Sequence, residues 1–182
     1  MRSKRWLFAA AIALQVLLLL GMGARHTYTL QTGRPIRLET APVDPWEMFR
    51  GQYVALNYKI SQLQEGQVTM VGAPYKRGEK VWVTVRPFDQ YWEAVHVSRQ
   101  LPDVGGWVAL QGTVQWYGDA MGPGGQPQVS IRYGIEQFYV PEGEGPALED
   151  RQHQVTVEAV VDRFGRAAMK RVFVDGKEIN WQ

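Results

Sequence analysis

The chain has 182 residues, 45% of them hydrophobic and 21% charged, a balance that suits a folded protein and excludes an acidic or basic disordered one. It has no cysteine, which removes disulfides, thiol catalysis, thiolate metal sites and a lipid-modified N-terminal Cys. The net charge of +2 arises at the start: without Arg2, Lys4 and Arg5, 17 basic side chains face 18 acidic ones and no basic run follows, so nucleic acid is not an expected partner.

Trp6 to Met22 reads WLFAAAIALQVLLLLGM, 17 residues whose one polar side chain is Gln15. As a helix it is about 25 Å long, slightly under the ~30 Å hydrocarbon core, with Trp6, Lys4, Arg5 and Arg25 placed to settle at the interfaces. A cleaved signal peptide is the rival reading, since Gly21-Met22-Gly23-Ala24 supplies small residues. The apolar stretch exceeds the usual core of such peptides, which favours a retained anchor. Basic residues ahead of the segment keep the N-terminus in the cytoplasm. The expected division is a basic stub and transmembrane anchor over 1–24 and a single exported β-rich domain over 25–182. A cytoplasmic membrane with the domain on its periplasmic, or extracytoplasmic, side is the expected location.

After Ala24 the sequence reads as strands. Thr27 to Leu30 alternates, Gly33 breaks the pattern, and Ile36 to Thr40 alternates again. Asp44-Pro45-Trp46-Glu47 has the form of a helix start, limited to about one turn by Gly51. Gln52 to Ile60 has period two, with Val54, Leu56, Tyr58 and Ile60 on one face and Tyr53, Ala55, Asn57 and Lys59 on the other. Lys80 to Arg86 points Val81, Val83 and Val85 one way, and Tyr91 to Ser98 is its partner across residues 87–90. Trp107 to Tyr117 is a long strand with a bulge or bend at Gly112. Met121 to Pro127 is a loop, and Gln128 to Val140 forms one or two strands with Gly134 as the break. Pro141 to Gly145 is a turn-rich connection and Ala147 to His153 a short helix. Two hairpins close the chain: 154–161 with 167–174 around Asp162-Arg163-Phe164-Gly165, and 172–175 with 177–180 around Asp175-Gly176. Nine to eleven short strands without a long helix beyond the anchor predict an all-β fold, a mainly antiparallel sandwich or partly closed barrel.

Gly51-Gln52-Tyr53-Val54-Ala55-Leu56-Asn57-Tyr58 fits Gly-Asp-Tyr-x-x-Leu-x-Tyr at every defined position but one. With the anchor, Pro42-Val43-Asp44-Pro45, Phe49-Arg50 and the later block Tyr133 to Gly143, the chain resembles the GDYXXLXY family of bacterial membrane-anchored proteins. That resemblance covers most of the chain. It implies an anchored, exported domain, brings no established activity with it, and its members resemble accessory proteins often encoded beside multi-spanning membrane proteins of unknown function. Gln52 stands where the family has Asp. Glutamine keeps hydrogen-bonding capacity but cannot act as an acid, base or anionic metal ligand.

In the motif strand, Tyr53, Leu56 and Tyr58 suit packing, whereas Arg50, Gly51, Gln52, Tyr53 and Asn57 suit a recognition surface. In the second block, Tyr133, Glu136 and Tyr139 read either as a core strand ending in a turn or as a groove for peptide or sugar. His26, His96 and His153 share no metal-ligand spacing, so neither a metal nor another cofactor is expected. Ser61 and Lys80 are the best pair for a Ser/Lys signal-peptidase-like hydrolase, with nothing in their spacing requiring it. Trp82, Trp92, Trp107 and Trp116 fall in predicted strands as core candidates; Trp82 and Trp92, if side by side, would make a platform for glycan or protein. The expectation is a non-enzymatic accessory or interaction protein beside a multi-spanning membrane protein. An envelope glycan- or peptide-binding module is the alternative.

Overall fold

The computed structural model describes residues 2–41, 53–103, 105–120, 125–139 and 154–179. The expected helical turn after Asp44, most of the 121–127 loop, the 141–145 connection and the short helix over 147–153 lie outside them.

Helix α1 runs unbroken from Arg2 to Thr32, and every side chain from Trp6 to Tyr28 is exposed in the isolated chain. The alternation at Thr27 to Leu30 is therefore helical, not a strand. Once a helix is nucleated each added residue gains a hydrogen bond, which outweighs a four-residue alternation. Thr32 also bonds back into the helix, its Oγ1 donating to Tyr28 O at 2.8 Å. Gly33 ends the helix because a Cβ there would lie 2.5 Å from Thr29 O and 3.0 Å from Val160 Cβ. Only glycine lets the chain turn from the helix into a strand so close to its neighbour.

That strand, β1 (Arg34–Ala41), lies inside a five-stranded sheet. Its order is β13 (Lys177–Ile179), β12 (Ala167–Val174), β11 (Val155–Val161), β1, β3 (Asn57–Tyr58). Both closing hairpins form as predicted, and Asp175 and Gly176 both take positive φ, as the tight two-residue turn requires. On the outer face Arg37, Glu158 and Arg171 stand in register; Arg171 grips both Glu158 carboxylate oxygens at 2.9 and 2.8 Å.

The second sheet has six strands in the order β4 (Gln62–Gln64), β9 (Pro127–Arg132), β8 (Val108–Asp119), β6 (Lys80–Phe88), β7 (Tyr91–Ser98), β5 (Thr69–Met70). All its pairs are antiparallel except β5 with β7. It curls because β8 pairs with β6 through its first half and with β9 through its second. The register irregularity in β8 lies between Val114 and Trp116, not at Gly112. Gly112 is instead a site of close approach, where a Cβ would come 2.3 Å from Ile131 Cγ2.

The core fills the space between the sheets. Ile36, Leu38 and Val157 from the first join Val81, Val83, Val85, Leu110, Val114 and Val129 from the second in one apolar cluster. Period-two patterning predicted the valine triplet, and each of the three is fully buried. The predicted strand over 52–60 is broken into β2 (Tyr53–Ala55), β3 and a 3-10 turn at Lys59–Ser61. Ala55 pairs with β10 (Gln137–Tyr139) but Asn57 pairs with β1, so the chain changes sheets at Leu56. Leu56, Tyr58 and Ile60 stay buried through the change.

Candidate functional site

The two blocks singled out in the sequence meet. β2 and β10 pair antiparallel, Tyr53 opposite Tyr139 and Ala55 opposite Gln137, and Leu56 N donates to Glu136 O at 2.7 Å. Beyond this ladder the contacts are reciprocal. Tyr58 of the first block donates its hydroxyl to Ile135 O at 2.5 Å in the second. Tyr133 of the second donates to Ile60 O, just past the first, at 2.6 Å. Both rings are buried, so each hydroxyl needs such a partner. Glu136 serves the same turn: its carboxylate accepts from the backbone N–H groups of Tyr133 and Gly134, and Gly134 takes φ +85° to allow it.

Burial pushes the Tyr58 and Tyr133 hydroxyls far above the ordinary phenol value of 10, and the Glu136 charge adds to the effect. Burial likewise raises Tyr75, to about 12, with the Arg99 charge opposing it. A raised pKa means that the folded state holds its proton more tightly. This stability is complete below pH 10 and drains as pH rises above it. Each tyrosine contributes a slope of about 1.4 kcal/mol per pH unit. Urea titrations in alkali are expected to lose stability steeply above pH 10, and Tyr58→Phe to reduce the slope by one proton.

Against this lock lies a half-open cleft of about 520 Å³. Asn57, Ser61, Gln115, Ser130, Arg132 and Gln137 line it, with Ala55 and Glu136 beside them. Ser61 is 5% exposed and among the described residues its Oγ has no hydrogen-bond partner, an uncommon state for a buried hydroxyl. Trp116 does not line the cleft itself but is the register partner of the lining residue Ser130 across β8 and β9. Its ring lies over Gly118, where a Cβ would sit 2.9 Å from Trp116 Cζ2, and the residue is 47% exposed.

With the two blocks joined in space, the family profile described as GDYXXLXY protein matches residues 15–172. The chain belongs to the GDYXXLXY family. No curated protein and no solved structure matches it. In this member the signature residues Leu56 and Tyr58 are packed, while Asn57 and Glu136 stand at the cleft. Tyr53 and Tyr139 are register partners, and Tyr133 is half of the lock. Arg50, Gly51 and Gln52 lie outside the described residues.

Other candidates disperse. Ser61 precedes edge strand β4 and Lys80 opens β6, with β9 and β8 between those strands, so roughly 14 Å of sheet at ~4.8 Å per strand separates them. No group of three or more His, Asp or Glu able to hold a metal occurs among the described residues. Trp82 and Trp92 cannot form one platform, because they lie on opposite faces. Trp82 alternates with the inward valines and bonds Phe164 O at 3.2 Å, whereas Trp92 packs partly against the core. Trp107 and Trp116 are 46% and 47% exposed rather than core, Trp107 preceding β8 and Trp116 standing at its bulge. The sequence reading missed Gln115, Ser130 and Arg132, which carry no local signal and reach the cleft through strand pairing.

Proposed function

We propose that this protein is a membrane-anchored accessory protein. In this reading one exported β domain over 25–182 is held at the periplasmic, or extracytoplasmic, surface of the cytoplasmic membrane. The cleft beside the signature engages an exposed segment of an integral, multi-spanning membrane partner, and no chemistry is catalysed. The observation that carries the reading is α1. Trp6–Thr32 spans 27 residues, long and apolar enough to cross a membrane. Nine exposed Leu, Ile, Val and Phe side chains lie between Leu7 and Leu20. At roughly −0.3 to −0.6 kcal/mol each near a bilayer centre, they favour insertion by about 3–5 kcal/mol. The basic N-terminus favours the inside, and tethering raises the effective concentration of the cleft near a membrane partner. Asn57, Arg132 and Gln137 offer that partner amides and a guanidinium on a framework held by the two tyrosines.

The test is photo-crosslinking in cells from Asn57 and Gln137, one position at a time, with Lys170 on the far sheet as control. One discrete adduct with an integral membrane protein is expected from the first two positions and not from Lys170. Adducts equal at all three positions, or absent from the cleft, overturn the reading.

Trp116 favours a second reading, an oligosaccharide in the same cleft. A flat exposed indole suits the apolar face of a sugar ring, and the unpartnered Ser61 hydroxyl with the neighbouring amides suits its hydroxyls. Calorimetric titration with neutral oligosaccharides separates the two. Binding that Trp116→Ala abolishes supports the sugar, and no heat at all removes it.

A further inference from the structure

The surface around the end of α1 differs from the rest of the β fold. Beyond the apolar stretch of α1, seven large apolar side chains are exposed among the described residues: Tyr28, Val71, Phe88, Leu101, Trp107, Trp116 and Phe164. Four of them gather where the helix enters the sheets. Leu101 and Trp107 line a groove of about 350 Å³ together with Thr32, Arg34 and Asp162. Phe164 sits in the turn that Asp162 organises, and Tyr28 is on the last turns of the helix.

Cations stand among these side chains. Arg163 and Arg166 stack on the Phe164 ring at 4.7 and 5.2 Å. Arg34 bonds Gly106 O and Trp107 O, which draws the 105–107 loop toward the helix end. Arg25 lies two turns earlier on the helix. Among the described residues the acids nearby are Asp162, whose carboxylate accepts three hydrogen bonds within the joint, and Asp103, which accepts from Gly105 N. The collar is thus net basic although the sequence from residue 6 onward carries 17 basic and 18 acidic side chains.

Helix geometry sets its height. From Trp6 to Arg25 the helix rises about 29 Å, close to the ~30 Å hydrocarbon core. Gly33 follows about 12 Å further on, roughly 5 Å beyond a headgroup layer ~5–7 Å deep, and ordinary helix tilt of about 20° lowers one side of the collar toward that layer. The joint is also closed. Thr29 Oγ1 donates to Asp162 Oδ2 at 3.0 Å in a buried contact, and Gly33 N donates to Thr29 O at 2.9 Å.

We propose that this aromatic and basic collar seats the β fold on the membrane itself, with Trp107, Phe164 and Leu101 in the headgroup layer and the arginines on anionic phospholipid. Aromatic side chains favour that layer, and arginines beside it attract anionic headgroups. The inference rests on α1 crossing the bilayer and goes beyond it: the fold does not hang from a tether but lies against lipid. One orientation then presents the signature cleft to a neighbouring membrane protein.

Because the chain has no cysteine, single nitroxide labels can be placed freely on the full-length protein in vesicles. The positions are Leu14 in the helix, Leu101, Trp107 and Phe164 in the collar, and Lys177 at the far end of the sheet. The six-residue rise of β11 from Val161 to Val155 places Lys177 roughly 20 Å from the collar. Collision with oxygen and with a water-soluble nickel chelate reads depth at each label. Leu14 is expected to be deep and Lys177 fully accessible. The collar labels are expected to meet the chelate several-fold less often than Lys177, and less still when phosphatidylglycerol is mixed into phosphatidylcholine. Arg163→Gln with Arg166→Gln is expected to remove the phosphatidylglycerol effect and leave Leu14 unchanged. Collar labels as accessible as Lys177 with Leu14 still deep overturn the collar and leave the anchor standing. An accessible Leu14 overturns the anchor and the collar with it. Three collar positions are used so that one variant that fails to fold does not decide the outcome.

Discussion

Tyr58→Ala is expected to cost about 4–5 kcal/mol. Removing a buried aromatic ring costs about 3–5 kcal/mol, and the hydroxyl adds about 1. Tyr58 is 1% exposed, and its loss would leave Ile135 O without its donor. Against a total stability of about 5–15 kcal/mol this variant stands near unfolding. The conservative pair is more informative. Tyr58→Phe and Tyr133→Phe each remove one hydroxyl from a buried carbonyl, for about 1–2 kcal/mol apiece. The two bonds close the same pair of segments in opposite directions, so breaking either frees both. The double variant is expected to cost measurably less than the two losses added together, a coupling of at least about 0.5 kcal/mol in urea titrations of the full chain. Strict additivity would show two independent anchors. Asn57→Ala is the control: half-buried at the cleft, it is expected to change stability by no more than about 0.5 kcal/mol while removing the crosslinked adduct.

This contrast explains the pattern that defines the family. Of its fixed letters, Leu56 and Tyr58 face inward and hold the segment between sheets. The free positions Ala55 and Asn57 line the cleft, with Leu56 between them at its wall. A framework built from fixed residues, with free positions at the cleft, leaves part of the cleft lining open to vary without loss of the fold. The sequence suggested both halves as rivals on one strand. In the structure Tyr58 is packed inward, while Ala55 and Asn57 line a cleft.

Local physics explains which features could be read in advance. Val81, Val83 and Val85 alternate with polar or half-exposed neighbours, so their inward face was visible, and Asp175-Gly176 specified its turn by backbone preference alone. The sheet change at Leu56 was not visible, because period two persists across it and only the pairing partners change. The meeting of Tyr58 with Ile135 spans 77 residues, and no local propensity encodes such a contact. Whether Trp82 and Trp92 lie side by side was not legible, because one extra residue in β7, opposite the step from Thr84 to Val85, resets which face its side chains take. Asp162 was read as an ordinary turn aspartate, which two of its three bonds make it; the third reaches Thr29, 133 residues away.

That third bond carries the other large effect. Asp162→Ala is expected to cost about 3 kcal/mol, since Phe164 N, Arg166 N and Thr29 Oγ1 all lose their acceptor and each such loss costs about 1–3 kcal/mol where water cannot replace it. Asp162→Asn retains an oxygen for the two backbone donors and offers Thr29 an amide, so about 1 kcal/mol is expected there. Stability alone would not distinguish a turn from a joint. Spin labels at Leu14 and Lys177 report whether helix and sheet move as one body. Their distance distribution is expected to be narrow in the parent chain, broad in Asp162→Ala and narrow in Tyr58→Phe, where the sheet is weakened but the joint is intact. A narrow distribution in folded Asp162→Ala would place the rigidity in the close packing of Gly33 against Val160 and Val161 instead. A broad one would make the Thr29–Asp162 bond the element that fixes how the β fold, and the cleft upon it, faces along the membrane.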